Sequence, residues 1–222
     1  MNNFIFIAGY VVFAFAAAAV DGRGQQQPQD DIQSWSEVQL TIPMDKRVDF
    51  FTAVQVRIGN NTTRLADARH SIGFNWKPHA TLSVLPFYTF IGVRNSTGRF
   101  RNEHRLNLRA TYRFPFKSFG LSHRSTVERR LRQPINSWRY RPSFTVEKDL
   151  PKSWIADAKV FATDEIFYDS TLNKFSRNRF TVGLSKTLNK NLTLDTYYMR
   201  QNDGFSRPGD LHVIGTVWRI RP

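Results

Sequence analysis

The chain has 222 residues and no cysteine, which excludes a disulfide framework and any thiolate metal site. Lysine and arginine total 32 against 18 aspartate and glutamate, and the formal net charge of +14 suits nucleic acid, an anionic membrane surface or an anion-conducting lumen. The mean hydropathy of −0.44 resembles that of a soluble protein, but bulk hydropathy misses transmembrane barrels because half of every strand faces a polar interior.

The first 20 residues have the layout of a secretory signal peptide. An apolar run over 4–20 ends in four alanines at 16–19, and a polar, Gln-rich stretch follows it. We therefore predict a signal peptide over 1–20, a polar N-terminal segment over 21–33 and one barrel domain over 34–222. A short transmembrane anchor is the alternative, because about 20 apolar residues can cross a bilayer.

Alternation with a period of two recurs from residue 34 onward. In 102–114, for example, Arg105 and Arg109 share one face, whereas Leu106 and Leu108 share the other. Strand side chains point alternately to opposite sides, so such a segment has one charged face and one apolar face. About eleven candidate strands have the length that a tilted strand needs to cross a bilayer: 34–42, 48–58, 64–76, 81–91, 102–114, 119–131, 137–148, 154–167, 177–187, 191–200 and 211–220.

The connections between these segments alternate in length. The short ones are 43–46, 77–79, 115–118, 149–153 and 188–190, and the longer ones are 59–63, 92–101, 132–136, 168–176 and 201–210. Short periplasmic turns and longer outer loops are typical of outer-membrane barrels. The predicted fold is all-β, an antiparallel transmembrane up-and-down β-barrel of about 10–12 strands. Segment 34–42 then runs toward the periplasm, so either one more strand precedes it or it threads the lumen.

Aromatic residues on the apolar faces fall into two predicted belts. Those beside short turns are Phe74, Trp76, Tyr112, Phe114, Phe119 and Trp154, and those beside long loops are Tyr88, Phe90, Trp138, Tyr140, Phe180 and Tyr198. Amphipathic rings concentrate at the two membrane–water boundaries of a barrel. A soluble lipocalin-like binding barrel, whose apolar face would be its interior, is the alternative.

The opposite faces of the strands carry a row of charges that should face the lumen. Its predicted members are Arg57, Arg69, Glu103, Arg105, Arg109, Arg113, Arg124, Glu128, Arg130, Arg139, Arg141, Glu147, Glu165, Arg177 and Arg179. Isolated buried charges are costly, so these groups must either pair across strands or be hydrated. Two interpretations stay open: a salt-bridge network that fills a narrow lumen, and a basic, water-filled constriction that passes anionic solutes.

One arrangement suits catalysis. His123 and Ser125 share the apolar side of one predicted strand, and lipid-A deacylase barrels carry a similar His-x-Ser pair on the lipid side. Glu128 points inward by alternation, so no acid completes a triad there. No metal-ligand spacing or phosphate-binding glycine loop appears, so we expect no cofactor and no metal. Basic and aromatic residues lie on opposite faces, which disfavours nucleic-acid binding.

A series of short motifs runs along the chain in a characteristic order. It comprises Trp35, Arg57, Asn102-Glu103-His104-Arg105, Arg124 with Glu128-Arg129-Arg130, Arg139-Tyr140-Arg141, Glu165-Ile166-Phe167, Arg177-Asn178-Arg179, Tyr198-Met199-Arg200-Gln201 and His212. In these motifs the chain resembles the domain of unknown function 2490 family of Gram-negative outer-membrane proteins. The resemblance implies an outer-membrane barrel and carries no established activity.

Together these patterns predict a structural or porin-like protein of the outer membrane that is not an enzyme. Its expected partners are outer-membrane lipid, the barrel-assembly machinery that inserts it and a small anionic solute. An outer-membrane lipid hydrolase that uses His123 and Ser125 is the competing functional hypothesis.

Overall fold

A computed structural model describes residues 30–95 and 98–222, and within them eleven strands close into one barrel. The strands are β1 (Asp30–Pro43), β2 (Val48–Gly59), β3 (Arg64–His79), β4 (Leu82–Arg94), β5 (Phe100–Phe114), β6 (Gly120–Leu131), β7 (Ser137–Asp149), β8 (Ala158–Asp169), β9 (Lys174–Asn189), β10 (Leu192–Asn202) and β11 (Asp210–Ile220). The predicted signal peptide lies outside the described residues, as does most of the polar segment. The barrel wall begins at Asp30, ahead of the predicted boundary at Ser34.

The strand count confirms the predicted range of 10–12. Strands that follow each other in the chain pair antiparallel throughout, and a parallel pairing of β1 with β11 closes the barrel. An odd number of alternating strands ends in the direction in which it began, so the first and last strands must run the same way. The structure therefore differs from a wholly antiparallel barrel at this seam, and β1 lies in the wall instead of threading the lumen.

The barrel has two rims, which we name by their connections. The upper rim carries 60–63, 95 with 98–99, 132–136, 170–173 and 203–209, and the lower rim carries 44–47, 80–81, 115–119, 150–157 and 190–191. The predicted sorting of connections by length is wrong, because the longest one, 150–157, lies at the lower rim. There the Trp154 amide donates to the Pro151 carbonyl at 2.9 Å in a turn, and β8 starts only at Ala158.

The outside of the barrel is apolar and the inside is polar. Ile214, Leu106 and Phe74 are each at least half exposed on outward positions. Of the described residues, twenty polar or charged ones are buried, against nine apolar ones. This distribution is the inverse of that in a soluble barrel, so the lipocalin-like alternative does not fit, and lipid is the solvent of the outer face.

Candidate functional site: the arginine-lined lumen

Alternation along each strand places the predicted charged row on the inside of the barrel. The inward-projecting members are Arg57, Arg69, Glu103, Arg105, Arg109, Arg124, Glu128, Arg130, Arg139, Arg141, Glu147, Glu165, Arg177 and Arg179. Arg113 also belongs to the inner face but lies apart from the rest, in a second cavity of about 510 Å³ at the lower rim. The strands thus bring residues that are far apart in sequence into one charged interior.

In the upper half of the lumen, Glu103 joins two arginines from neighbouring positions. Arg105 donates its Nε to the Glu103 carboxylate at 2.8 Å, and Arg130 donates its Nε at 2.6 Å. Arg130 also reaches Asp169 at 3.5 Å, and Arg139 donates to the same aspartate at 2.8 Å. Each carboxylate therefore bridges two guanidinium groups, which offsets the cost of burying charge.

Arg141 is the central cation of the network. It donates to both oxygens of Glu165 at 3.0 Å and also pairs with Glu128. Glu165 also accepts from Arg124 at 3.2 Å and lies 4.0 Å from Arg179. One carboxylate thus compensates three guanidinium groups, so the local balance of charge is cationic.

Aromatic rings lie among these cations. The Phe167 ring is almost completely buried and lies within 4.7–5.6 Å of four guanidinium groups, those of Arg139, Arg141, Arg177 and Arg179. Stacking on a ring face stabilises guanidinium groups without adding negative charge. The ring therefore packs the cations together while leaving the excess of positive charge in place.

A second group lies on the opposite wall. The Arg57 guanidinium lies 3.4 Å from the centroid of the Trp35 ring and 3.7 Å from Asp67. Asp67 accepts two hydrogen bonds from Arg69, at 2.6 and 2.9 Å, which is the paired geometry that guanidinium and carboxylate prefer. The Arg179 guanidinium also lies 5.1 Å from the centroid of the Trp35 ring, and it links this group to the Phe167 cluster.

The upper half of the lumen is closed in this structure. Ile91 and Val213 are inaccessible to water there, and Glu128 and Gln201 are almost so. Water reaches inward side chains in an open pore, so the inward side chains at this level pack against one another. The upper half therefore fits the predicted salt-bridge network. The predicted water-filled constriction can apply only to the lumen below it.

Below the closed layer lies a cavity of about 390 Å³. Eight arginines and four carboxylates line it: Arg57, Arg69, Arg105, Arg109, Arg124, Arg141, Arg179 and Arg219 against Glu37, Glu128, Glu147 and Asp195. Arg109 lies over the Phe87 ring at 4.9 Å, and its buried Nε has no hydrogen-bond acceptor among the described residues. The cavity is therefore cationic.

The width of the cavity depends on glycines that alternate with aromatic residues around the wall. At one level Phe161, Gly183, Tyr197, Gly215 and Trp35 follow each other across neighbouring strands. A Cβ on Gly215 would lie 2.6 Å from Tyr197 Cε1, and one on Gly183 would lie 2.8 Å from Phe161 Cε1. The rings therefore lie against the wall over the glycines and leave the centre of the lumen free.

Alternation in the sequence did not lead us to every member of this interior. Glu37 and Arg219 occupy inward positions of predicted strands and could have been found by the same rule. Asp169 lies beyond the predicted end of its strand, and Asp203 lies in the connection 203–209. Alternation makes no prediction about such positions.

Asp203 ties the upper connection to the network. It accepts from the Nε of Arg177 at 2.7 Å and from the Ser206 hydroxyl at 2.8 Å. Burial raises the pKa of Asp203, but the charge of Arg177 and the hydrogen bonds from Phe205 and Ser206 outweigh this and hold the pKa below its usual value. The carboxylate is therefore anchored in its charged form.

The outward pair of the hydrolase hypothesis is formed only in part. His123 Nε2 and Ser125 Oγ are 3.0 Å apart, and Ser125 Oγ lies 3.1 Å from the Tyr140 hydroxyl. His123 Nδ1 is buried without a partner among the described residues, and its ring packs against Phe144. Glu128 points inward as predicted, so no carboxylate orients the histidine.

In the described part of the chain, no helix is long and apolar enough to cross a bilayer. Across residues 30–95 and 98–222, no three histidine or carboxylate side chains come together as a metal site.

The family profile described as protein of unknown function, DUF2490, matches residues 32–211. A search of curated protein sequences finds no relative. Among solved structures, the NanC porin in a rhombohedral crystal form is similar with a TM-score of 0.50 and 11% identity, over 86% of this chain and 96% of that one. The KdgM porin in complex with disordered oligogalacturonate gives a TM-score of 0.45 and 15% identity, over 79% of this chain and 92% of that one. The first likeness establishes a porin-type barrel fold and leaves the solute open.

Proposed function

The chain belongs to the DUF2490 family of proteins of unknown function, and we propose that this member is an outer-membrane porin that admits small organic anions to its lumen. The observation that carries the proposal is the lining of the lower cavity, where arginines outnumber carboxylates by eight to four. A low-dielectric wall concentrates the field of such a lining and attracts anions into it.

The chemistry of the lining narrows the solute class. Guanidinium groups bind carboxylates with two parallel hydrogen bonds, and Arg109, whose guanidinium lies over Phe87, lines this cavity. Phe51, Phe87 and Phe161 line the same cavity, and their rings suit the flat apolar face of a ring compound. A carboxylated sugar has both features, so compounds of this kind are the solutes that we expect.

Passage requires the closed layer to rearrange. In the upper half, Glu103, Glu128 and Glu165 each hold an arginine of an adjacent strand, all on the wall from β5 to β8. An entering anion competes with these carboxylates for the same guanidinium groups, so solute binding and opening of the layer are coupled. We therefore expect a channel with brief openings rather than a constantly open pore.

Planar-bilayer recording in a KCl gradient tests the proposal. We expect the open wild-type channel to prefer chloride over potassium, and Arg109→Gln to reduce that preference more than Arg113→Gln. The two variants lose the same charge, but only Arg109 lines the main cavity, since Arg113 lies at the lower rim. Cation preference in the wild type contradicts the proposal, and so does an equal effect of the two variants.

We also propose that the barrel is exported by a signal peptide over residues 1–20 and inserted into the outer membrane by the barrel-assembly machinery. The apolar outer face supports a membrane location, because it would otherwise be exposed to water. Cell fractionation and heat-modifiable migration on gels test this. A purified protein that stays monodisperse in water without detergent contradicts it.

A lipid hydrolase is the second candidate, and the 3.0 Å contact between His123 Nε2 and Ser125 Oγ is the observation in its favour. The unpartnered Nδ1 speaks against it, because an orienting acceptor at that nitrogen supports the base in serine hydrolases. Release of fatty acid from mixed micelles, lost in Ser125→Ala, would establish the hydrolase. The porin proposal expects no such release from the wild type.

A further inference from the structure

The lipid-facing side of the barrel carries an arginine without a counter-charge. Arg129 lies in β6, two residues from its upper end, and faces outward between Leu106 of β5 and Trp138 of β7. Its guanidinium lies 5.0 Å from the centroid of the Trp138 ring and pairs with no carboxylate among the described residues. The outward positions of β4 to β7 hold no aspartate or glutamate at all.

Arg200 is a comparable outward arginine on β10, and it has the carboxylate partners that Arg129 lacks among the described residues. Arg200 also lies two residues from the upper end of its strand, β10, and on the outer face. There Asp210 lies 3.2 Å away, Asp30 lies 3.5 Å away, and His212 accepts a further hydrogen bond. The protein therefore neutralises one of these two outward arginines itself and leaves the other with an indole.

A second donor adjoins Arg129. His104 faces outward on β5, where it pairs with Leu131 and is thus the diagonal neighbour of Arg129. The Tyr88 hydroxyl lies 2.5 Å from His104 Nδ1. When that hydroxyl donates to Nδ1, the neutral ring carries its proton on Nε2 and offers this N–H as a donor. Diagonal neighbours in a sheet are within reach of long side chains, so both donors can bind one anion.

We propose that Arg129 and His104, with Trp138 beside them, form a binding site for the phosphate of a membrane-lipid headgroup at the upper rim. Arginine snorkels to the membrane boundary, where anionic headgroups supply the counter-charge that the protein lacks. Tryptophan prefers the same depth, and its ring positions the guanidinium. Phosphate suits the pair because it accepts several charge-assisted hydrogen bonds at once.

Binding of diphosphoryl lipid A to the purified full-length protein in detergent micelles tests the site. We expect Arg129→Gln to raise the dissociation constant about tenfold or more, as expected for loss of a hydrogen bond between charged groups. Arg200→Gln removes the same charge at the same depth and should change the constant less than twofold. Both substitutions lie on the outer surface, so we expect both variants to fold. Heat-modifiable migration on gels checks this.

Two further arms identify the source of the phosphate. Fully dephosphorylated lipid A should bind the wild type no better than diphosphoryl lipid A binds Arg129→Gln, and a large excess of inorganic phosphate should not displace the lipid. The proposal is overturned if Arg129→Gln binds lipid A like the wild type, or if Arg200→Gln weakens binding equally. If inorganic phosphate alone displaces lipid A, the site binds free phosphate and the lipid headgroup is not its ligand.

Discussion

The charge of Glu165 holds the closed layer of the lumen together, and Glu165→Gln is the change that tests this. The variant keeps the shape of the side chain but leaves Arg141, Arg124 and Arg179 with less negative charge around them. Breaking a buried ion pair costs about 3–5 kcal/mol, because the remaining charge stays uncompensated. Arg141 retains Glu128 and Arg124 is about a third exposed, so we expect the lower end of this range, about 3 kcal/mol.

Urea unfolding in phospholipid vesicles, followed by tryptophan fluorescence, measures the loss of stability. Glu147→Gln is the matched control, because Glu147 also faces the lumen and pairs with a cation, Lys159 at 3.2 Å, yet 45% of its side chain is exposed. Pairs that are exposed to this degree contribute about 0–1 kcal/mol. In planar bilayers Glu165→Gln should also open more often than the control. Equal unfolding midpoints for the two variants would refute the view that the layer is held by buried charge.

Two other predictions follow from the geometry. Gly215→Ala should destabilise the barrel by about 1–3 kcal/mol, because its Cβ would displace the Tyr197 ring toward the cavity. Gly204→Ala, whose Cβ would meet nothing within 4 Å, should change the unfolding midpoint little, and an equal loss in both contradicts the reasoning. At pH values above the ordinary pKa of aspartate, Asp203 stabilises the fold, because Arg177 and two hydrogen bonds lower its pKa in the folded state. This contribution is lost as the pH falls below about 4. Asp203→Asn should therefore lower stability at neutral pH and flatten its decline in acid, and an unchanged pH profile of unfolding contradicts the role.

The inward row was predictable because alternation is a local property of a strand. The residues adjacent in sequence were enough to predict which face Arg105 and Arg109 occupy. The structure places both inside the barrel. Their partners were not predictable, because pairing depends on the register between strands. Arg130 on β6 and Asp169 on β8, for example, are 39 residues apart in sequence and meet only because β7 pairs with both strands.

Other features depend on the whole barrel. Trp154 has the aromatic character of a belt residue, yet the turn around Pro151 keeps it out of β8. Whether the upper half is open or filled depends on how far side chains reach across the barrel, which strand patterns do not specify. The closing of the wall by β1 and β11 likewise needed the exact number of strands, and that number decides whether the last pairing is parallel.

The parallel seam between β1 and β11 has a consequence for how the molecule assembles. It joins residues at opposite ends of the described chain; the hydroxyls of Ser36 and Thr216, for example, lie 3.4 Å apart but 180 residues apart in sequence. Such a pairing requires the largest loop closure in the fold, so we expect it to form late, with one edge of β1 open until the β10–β11 hairpin arrives. Parallel pairs are slightly less stable per residue than antiparallel ones, so we expect the finished wall to part first along this line when the protein is pulled or heated.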